Sequence, residues 1–466
     1  MLKYYIKTFG CQMNESDSER IASFLESQKI KPAKDINKAD IVIFNTCGIR
    51  QMAEDRAYGQ IHNIHVTRNM KPAYRTGRHE TKKPIIILTG CLANRKDVQR
   101  KLKDKVDLFC EIKDFQEKMG EFINCHPELV SGSTKTEMPK QVRHDNYLCT
   151  TPRYTNPHTA YVPIMTGCNN FCSYCVVPYA RGREVSRPIE EIILEIKNLL
   201  KNGCKEIVLL GQNVNSYHGA CNMKHETKKI NFAELLQLIE KIPGHFWISF
   251  MSSHPKDFSG ELIETITKSK KICEHIHLPL QAGDDKILLA MNRKYTAEKY
   301  FKLIKKIKSA FAKNKPNEIY SITTDIIVGF PGETKKQFLE SARVMKKVDY
   351  DLVYFGQFSP RPGTVAFKMK DNVSKDEKKK REFFLNEILK KTAFKNNQKH
   401  IGKILEVLID KKDGPNYFGR THSLKNVKIH LTPTLSLSRR GSLVGKFVKV
   451  KIIKSNIWNL EAQIIK

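Results

Sequence analysis

Chemistry first shows in the twelve cysteines of this 466-residue chain. Cys168, Cys172 and Cys175 form C-x3-C-x2-C within TGCNNFCSYC. Three thiolates this close along a chain can hold three irons of a [4Fe–4S] cluster and leave the fourth iron open to an outside ligand. A closed zinc site competes with that reading, but it needs four ligands and favours paired C-x2-C units far apart, and no second pair follows. Phe171 and Tyr174, between the ligands, would shield a cluster or simply join a core. Cys11, Cys47 and Cys91 each follow an apolar run, in KTFGC, FNTC and LTGC. A lone cysteine in that position is usually structural. The other six (Cys110, Cys125, Cys149, Cys204, Cys221, Cys273) lie singly and read as small buried hydrophobes or indifferent surface thiols. A disulfide framework is excluded, because so large a chain needs no staples and the expected cytoplasmic setting keeps thiols reduced.

The elements that must position these residues follow from the alternation of apolar runs and helical stretches. Up to about residue 124, YYIKTF, a helix around 16–28, IVIFN, a helix after Gly48, and PIIILTG imply βαβ units and a parallel sheet. In such a sheet Cys11, Cys47 and Cys91 meet at the C-terminal edge, where ligands bind. From about Tyr154, six further runs are separated in several places by amphipathic helices: AYVPIMTG, EIVLLGQN, FWISFMSS, IHLPLQAG, SITTDIIVGF and DLVYFGQF. That is the grammar of a partial (β/α)6 barrel, with polar and glycine-rich strand ends gathered at the rim that carries the chemistry. A charged helix, SKDEKKKREFFLNEILKKTAF, leads out to short β-type runs without helices, consistent with a small antiparallel barrel. The fold class is therefore α/β, in four parts: an N-terminal sheet domain (1–125), a linker with an insertion (126–153), the partial barrel (154–385) and a small β-barrel (400–466). Segments 66–83, 126–145 and 431–440 read as surface insertions.

A formal charge of +32, from 81 Lys+Arg against 49 Asp+Glu, favours a polyanionic partner, nucleic acid first. Runs such as Lys378-Lys379-Lys380 also fit solvated helix faces. No apolar stretch is long enough to cross a membrane, and the N-terminus has no signal-peptide pattern, so a cytoplasmic protein is expected.

The run YVPIMTGCNNFCSYCVVPYARGREVSRP resembles the radical-SAM methylthiotransferases, and LLGQNVNSY, HLPLQAGDD, DIIVGFPGET and FSPRPGT resemble them as well. This likeness covers nearly the whole chain. It implies that the Cys168/Cys172/Cys175 cluster binds and splits S-adenosylmethionine (SAM), and that Cys11, Cys47 and Cys91 hold a second, auxiliary [4Fe–4S] cluster that handles sulfur. On the same basis Gly211, Gln212 and Asn213 sit where backbone approaches the SAM amino group, and Gly329 and Gly332 where its adenine passes. Gly10 and Gly90 would let the backbone pass close to the auxiliary cluster, with Asn14, Asn45 and Thr46 as donors to its sulfides or as ordinary turn and cap residues. Arg181, Arg183 and Arg187 could reach carboxylate or phosphate or form plain surface charge; His275 and His277 receive no chemistry.

REVSRP and LPLQAGDDKILLAMNRKYT look most like members that methylthiolate C2 of N6-isopentenyladenosine at position 37 of tRNA, beside the anticodon. Relatives acting on threonylcarbamoyladenosine or a ribosomal-protein aspartate are the alternatives, and a non-catalytic Fe–S RNA-binding protein is the reading from a different class. GRTHSLKNVKIH resembles the start of a TRAM domain, which would grip the anticodon arm. A flavodoxin or ferredoxin is the implied electron donor; the sulfur donor is not legible.

Overall fold

The computed structural model describes residues 2–48, 51–70, 83–125, 146–223, 226–430 and 442–465. The expected insertions at 126–145 and 431–440 lie outside these residues, as does most of 66–83. Residues 66–70, expected as loop, instead finish helix α2 (Gln51–Met70), because no Pro interrupts the chain between Gln51 and Pro72. Two compact units emerge: Met1–Thr155 with Val176–Arg183, and Asn156–Cys175 with Glu184–Lys466.

The first unit is a parallel sheet in the order β2-β1-β3-β4-β5, built from β1 (Lys3–Thr8), β2 (Lys31–Pro32), β3 (Ile41–Thr46), β4 (Ile85–Gly90) and β5 (Leu108–Phe109). Its helices are α1 (Gln12–Ser27), α2, α3 (Lys96–Leu102) and α4 (Phe115–Cys125). β3 is buried throughout because both its faces are covered. Ile41 and Ile43 join Tyr4, Leu25 and Phe115 on one side, while Val42 and Phe44 join Ile61, Leu88 and Leu102 on the other. Within the expected linker 126–153, Tyr147 and Leu148 are part of the first of these cores. The short helix α5 (Val177–Ala180), which follows Cys175 in sequence, also belongs to this unit.

The second unit holds the six strands of the partial barrel: β6 (Thr159–Pro163), β9 (Glu206–Leu210), β12 (Trp247–Phe250), β13 (His275–His277), β14 (Ser321–Val328) and β15 (Leu352–Gln357). They form parallel sheets β12-β9-β6 and β13-β14-β15, joined by a parallel bridge between Ile248 and Ile272. Between them lie α6 (Ile189–Lys201), α7 (Phe232–Glu240), α8 (Gly260–Lys268), α9 (Asp285–Ala290), α10 (Ala297–Asn314) and α11 (Lys335–Val348). Two small ribbons, β7 (Met165–Thr166) with β8 (Val185–Ser186) and β10 (His218–Met223) with β11 (Glu226–Asn231), decorate the unit.

After α12 (Lys375–Gln398), strands β16 (Ile404–Asp413), β17 (Asn416–Thr421), β18 (Asn426–His430), β19 (Phe447–Ser455) and β20 (Leu460–Ile464) close into a barrel. It is not purely antiparallel: β18 and β20 run parallel. This barrel docks on the first residues of the larger barrel's strands. Arg420 pairs with Glu206 at the start of β9, His422 with Glu274 just before β13, and Lys425 with Asp351 just before β15. Ser321, which opens β14, donates to the Ser423 carbonyl, and Trp247, which opens β12, packs on His422 and Phe447. The N-terminal end of the larger barrel is therefore floored by the C-terminal domain, and chemistry is left to the opposite rim.

Candidate active site

At that rim, the loop after β6 and β7 carries Cys168, Cys172 and Cys175. Gly167 and Phe171 adopt left-handed backbone (φ 77° and 48°), which turns the loop sharply before Cys168 and again before Cys172. Distant segments hold it: the Ser173 amide donates to the Met291 carbonyl (3.0 Å), Asn292 Nδ2 to the Phe171 carbonyl (2.8 Å) and the Ala366 amide to the Ser173 carbonyl (2.8 Å). Cys168 is buried, and Cys172 and Cys175 are half-buried. Burial pushes the Cys168 thiol pKa up, a state that iron ligation would reverse. Asn170 Nδ2 points at Cys168 Sγ (3.5 Å) and Arg293 Nη1 at Cys172 Sγ (3.4 Å). Arg293, 121 residues from Cys172, carried no signal in the sequence, since only folding puts its buried guanidinium beside a thiolate.

Among the described residues no three His, Cys, Asp or Glu side chains converge on the position of a single metal ion. A zinc site would need that convergence. A cubane does not, because each thiolate takes a different iron, and the all-sulfur donor set fits it.

The expected SAM segments end β9 and β14. A Cβ on Gly211 would stand 2.5 Å from Met165 Cγ, so this glycine is required by packing against the cysteine loop's own ribbon. Gln212 Oε1, Asn213 Oδ1, Ser253 Oγ and His254 Nε2 are buried without a hydrogen-bond partner among the described residues, all just beyond β9 and β12. Orphans clustered at a barrel mouth fit a polar ligand that would satisfy them. Burial, aided by Arg293 and Lys256, pushes His254 down to about 2, so its imidazole stays neutral. Asn213 is oriented by Asp257 (2.8 Å). Gly329 and Gly332 both have left-handed backbone, but the side on which Gly329 lacks a Cβ is filled by Lys378 Cγ at 2.5 Å, whereas nothing lies within 4 Å of Gly332. Lys378 is thus no solvated charge: it is buried and bonded to Asp371 (2.6 Å) and the Phe358 carbonyl (3.1 Å). His275 and His277 are buried on β13, both within 2.9 Å of Thr323 Oγ1.

In the first unit, Cys11 caps α1 while Cys47 and Cys91 directly follow β3 and β4. Cys47 and Cys91 are buried and Cys11 is exposed. A Cβ on Gly10 (φ 135°) would lie 2.5 Å from Cys47 Cβ, and one on Gly48 would lie 3.3 Å from Cys91 Cβ, so the three strand ends do crowd together. The polar neighbours bond within the loops, in line with the turn-and-cap alternative. Asn14 accepts from Cys11 Sγ (3.3 Å) and donates to Asn45 Oδ1 (2.9 Å) and the Thr46 carbonyl (3.0 Å). Asn45 donates to the Asn14 carbonyl and Ser18, and Thr46 to the Thr89 carbonyl. These side chains lock the cysteine-bearing loops to one another. Arg181 and Arg187 do reach carboxylates, Asp17 (2.7 Å) and Glu191 (3.2 Å) respectively, while Arg183 is exposed.

Comparison with known proteins matches residues 162–345 to the Radical SAM superfamily and residues 3–111 to the Uncharacterized protein family UPF0004. One cysteine triad falls in each span. The chain is 40% identical over 467 residues to the tRNA-2-methylthio-N(6)-dimethylallyladenosine synthase of Clostridium botulinum (strain Langeland), covering 99% of the chain and 96% of that protein. It is 39% identical to the protein of the same name from Thermoanaerobacter pseudethanolicus, covering 100% and 93%. Among solved structures, the radical S-adenosylmethionine methyltransferase TsrM from Kitasatospora setae, with cobalamin and a [4Fe–4S] cluster bound, superposes with a TM-score of 0.52. At 12% identity, over 78% of this chain and 76% of that one, the likeness extends to fold alone.

Proposed function

This chain belongs to the family of the tRNA-2-methylthio-N(6)-dimethylallyladenosine synthases, and we propose from that premise that it transfers a methylthio group to C2 of N6-isopentenyladenosine at position 37 of tRNA. It is a radical-SAM methylthiotransferase. The observation that carries the substrate assignment is 39–40% identity along the whole length to relatives of that one name. Neither a threonylcarbamoyl nucleoside nor a ribosomal protein is what those names state.

The group's chemistry is needed because an aromatic C–H offers no acidic proton for a side chain to remove; when bound, the two [4Fe–4S] clusters and SAM supply the radical and the sulfur. In the proposal Cys168, Cys172 and Cys175 hold the SAM-splitting cluster, and Cys11, Cys47 and Cys91 the auxiliary one. Arg293 donates toward Cys172, and the segment around Ser173 is fixed by Met291, Asn292 and Ala366, so the loop keeps its shape when a ligand exchanges. The orphan atoms of Gln212, Asn213 and Ser253 orient SAM, Gly332 leaves its face open, and neutral His254 adds no positive charge next to a sulfonium.

The domains 1–125, 154–385 and 400–466 then serve as sulfur carrier, radical source and TRAM-like RNA grip, with residues 126–153 between the first two. Exposed Lys449, Lys451 and Lys454 on β19 offer phosphate contacts. No helix among the described residues is long and apolar enough to cross a membrane; we place the protein in the cytoplasm, supplied with electrons by a flavodoxin or ferredoxin. Mass spectrometry of tRNA nucleosides from cells with and without the gene tests the reading. Loss of 2-methylthio-N6-isopentenyladenosine is expected, and loss of a threonylcarbamoyl derivative instead would refute the substrate.

A further inference from the structure

The segment Val176–Arg183 belongs to the same compact unit as the N-terminal sheet, although it follows the third cysteine of the other triad in sequence. Its start lies on the cysteine edge: a Cβ on Gly48, the residue after Cys47, would meet Val176 Cγ2 at 3.4 Å and Cys91 Cβ at 3.3 Å. Its end is anchored on α1, where Arg181 Nη2 binds Asp17 Oδ2 at 2.7 Å. Asp17 lies on the helix that Cys11 caps. The strap therefore runs between the Cys47/Cys91 strand ends and the Cys11 helix.

The Arg181 side chain is only 8% exposed, yet Asp17 is its one side-chain partner among the described residues. A guanidinium has five N–H donors, and those that Asp17 does not take keep some exposure, so they remain free to bond an outside acceptor. Asp17 is fully buried, and its Oδ1 also lacks a partner. Burial opposes the charge on Arg181, but Asp17, then Cys91 and Tyr147, hold its pKa well above the ordinary arginine value. The cation therefore persists at every working pH.

We propose that Arg181, held by Asp17, is a positioning residue of the auxiliary site: it donates hydrogen bonds to the anionic sulfur carried on the open iron of the Cys11/Cys47/Cys91 cluster. Anionic sulfur is a strong acceptor for a buried guanidinium, and the charge stabilises both it and the reduced cluster. Arg181 differs in this from Asn14, Asn45 and Thr46, which are bonded within the loops. The inference rests on the two-cluster reading above.

The test uses the full chain carrying Cys168→Ala, Cys172→Ala and Cys175→Ala, so that one cluster of about four irons remains. Methanethiolate is titrated into this protein and into the same protein with Arg181→Gln or Arg181→Lys, reading electron paramagnetic resonance and the cluster's midpoint potential. Arg181→Gln is expected to weaken methanethiolate binding about tenfold or more and to lower the potential, and Arg181→Lys to restore most of both. Equal affinity and potential in all three overturn the proposal. A triple-cysteine variant without iron refutes the second cluster itself, and the proposal with it. If Arg181→Gln loses its cluster, Asp17→Asn takes its place: release of the anchored guanidinium should weaken binding, and unchanged affinity there is refuting.

Discussion

Replacing Arg420 by alanine should destabilise the larger barrel far more than the loss of a surface charge would. Glu206 is fully buried and lies under both guanidinium arms, at 3.2 Å to Nη1 and 2.8 Å to Nη2. Removing one member of a buried ion pair typically costs about 3–5 kcal/mol, because the remaining charge is left desolvated and unpaired. Two neutral donors would stay on Glu206, Ser249 Oγ at 2.8 Å and Thr159 Oγ1 at 3.3 Å, and Arg420 itself is 25% exposed. Both facts place the expected loss at the lower end, about 3 kcal/mol, or roughly 6–12 °C in Tm. The assay can be local: Trp247 is buried against His422 and Phe447 at the docking surface, and Trp458, the other of the two tryptophans, is exposed. In a Trp458→Phe background, urea unfolding followed by Trp247 fluorescence reports the floor of the barrel directly. Adding Glu206→Gln to Arg420→Ala should regain about 1–2 kcal/mol, since an amide is easier to bury than a carboxylate. A loss below about 1 kcal/mol for Arg420→Ala would place the pair among solvent-screened surface bridges and refute the reasoning.

Substituting Cys168, Cys172 and Cys175 with Ala should remove about half of the roughly eight irons of the reconstituted protein and all deoxyadenosine formation; SAM cleavage in that variant would sink the assignment. Substituting Cys11, Cys47 and Cys91 instead should spare SAM cleavage and abolish the methylthio product, with continued product refuting the second cluster. Deleting the chain from residue 400 should weaken tRNA binding and its salt dependence, but it also strips the cover from Trp247 and Cys273, so barrel stability should fall with it. Charge substitutions at Lys449 and Lys451 separate the two effects, and unchanged RNA affinity across salt concentrations would contradict an RNA role for this face. Burial pushes His254 down to about 2, His275 to about 3 and His400 to about 4. Below an unfolded pKa of about 6.5 only the unfolded chain binds these protons, so stability should fall by about 1.4 kcal/mol per pH unit for each as pH drops from 6.5 toward 4. Urea midpoints between pH 7.5 and 5 read this slope, and a flat profile would show that the imidazoles reach water.

One cysteine triad announces itself in local sequence, whereas the other took its meaning from the family resemblance. Cys168, Cys172 and Cys175 share one loop, and Cys11, Cys47 and Cys91 each end a recognisable apolar run whose alternation with helices implied a parallel sheet. The six barrel strands were legible for the same reason, since strands such as β9 and β12, buried throughout, read as mainly apolar runs wherever they lie. Arg293 beside Cys172, Arg181 on Asp17, Lys378 against Gly329 and Arg420 on Glu206 were not, and each joins residues from 49 to 214 positions apart. In sequence an arginine bound for a buried carboxylate looks the same as one bound for solvent, and among 81 Lys+Arg the composition favours solvent. Residue type and local spacing therefore determined which atoms can do chemistry and which strands carry them. The tertiary structure alone decided which charges are desolvated, because burial depends on what the rest of the chain places around a side chain.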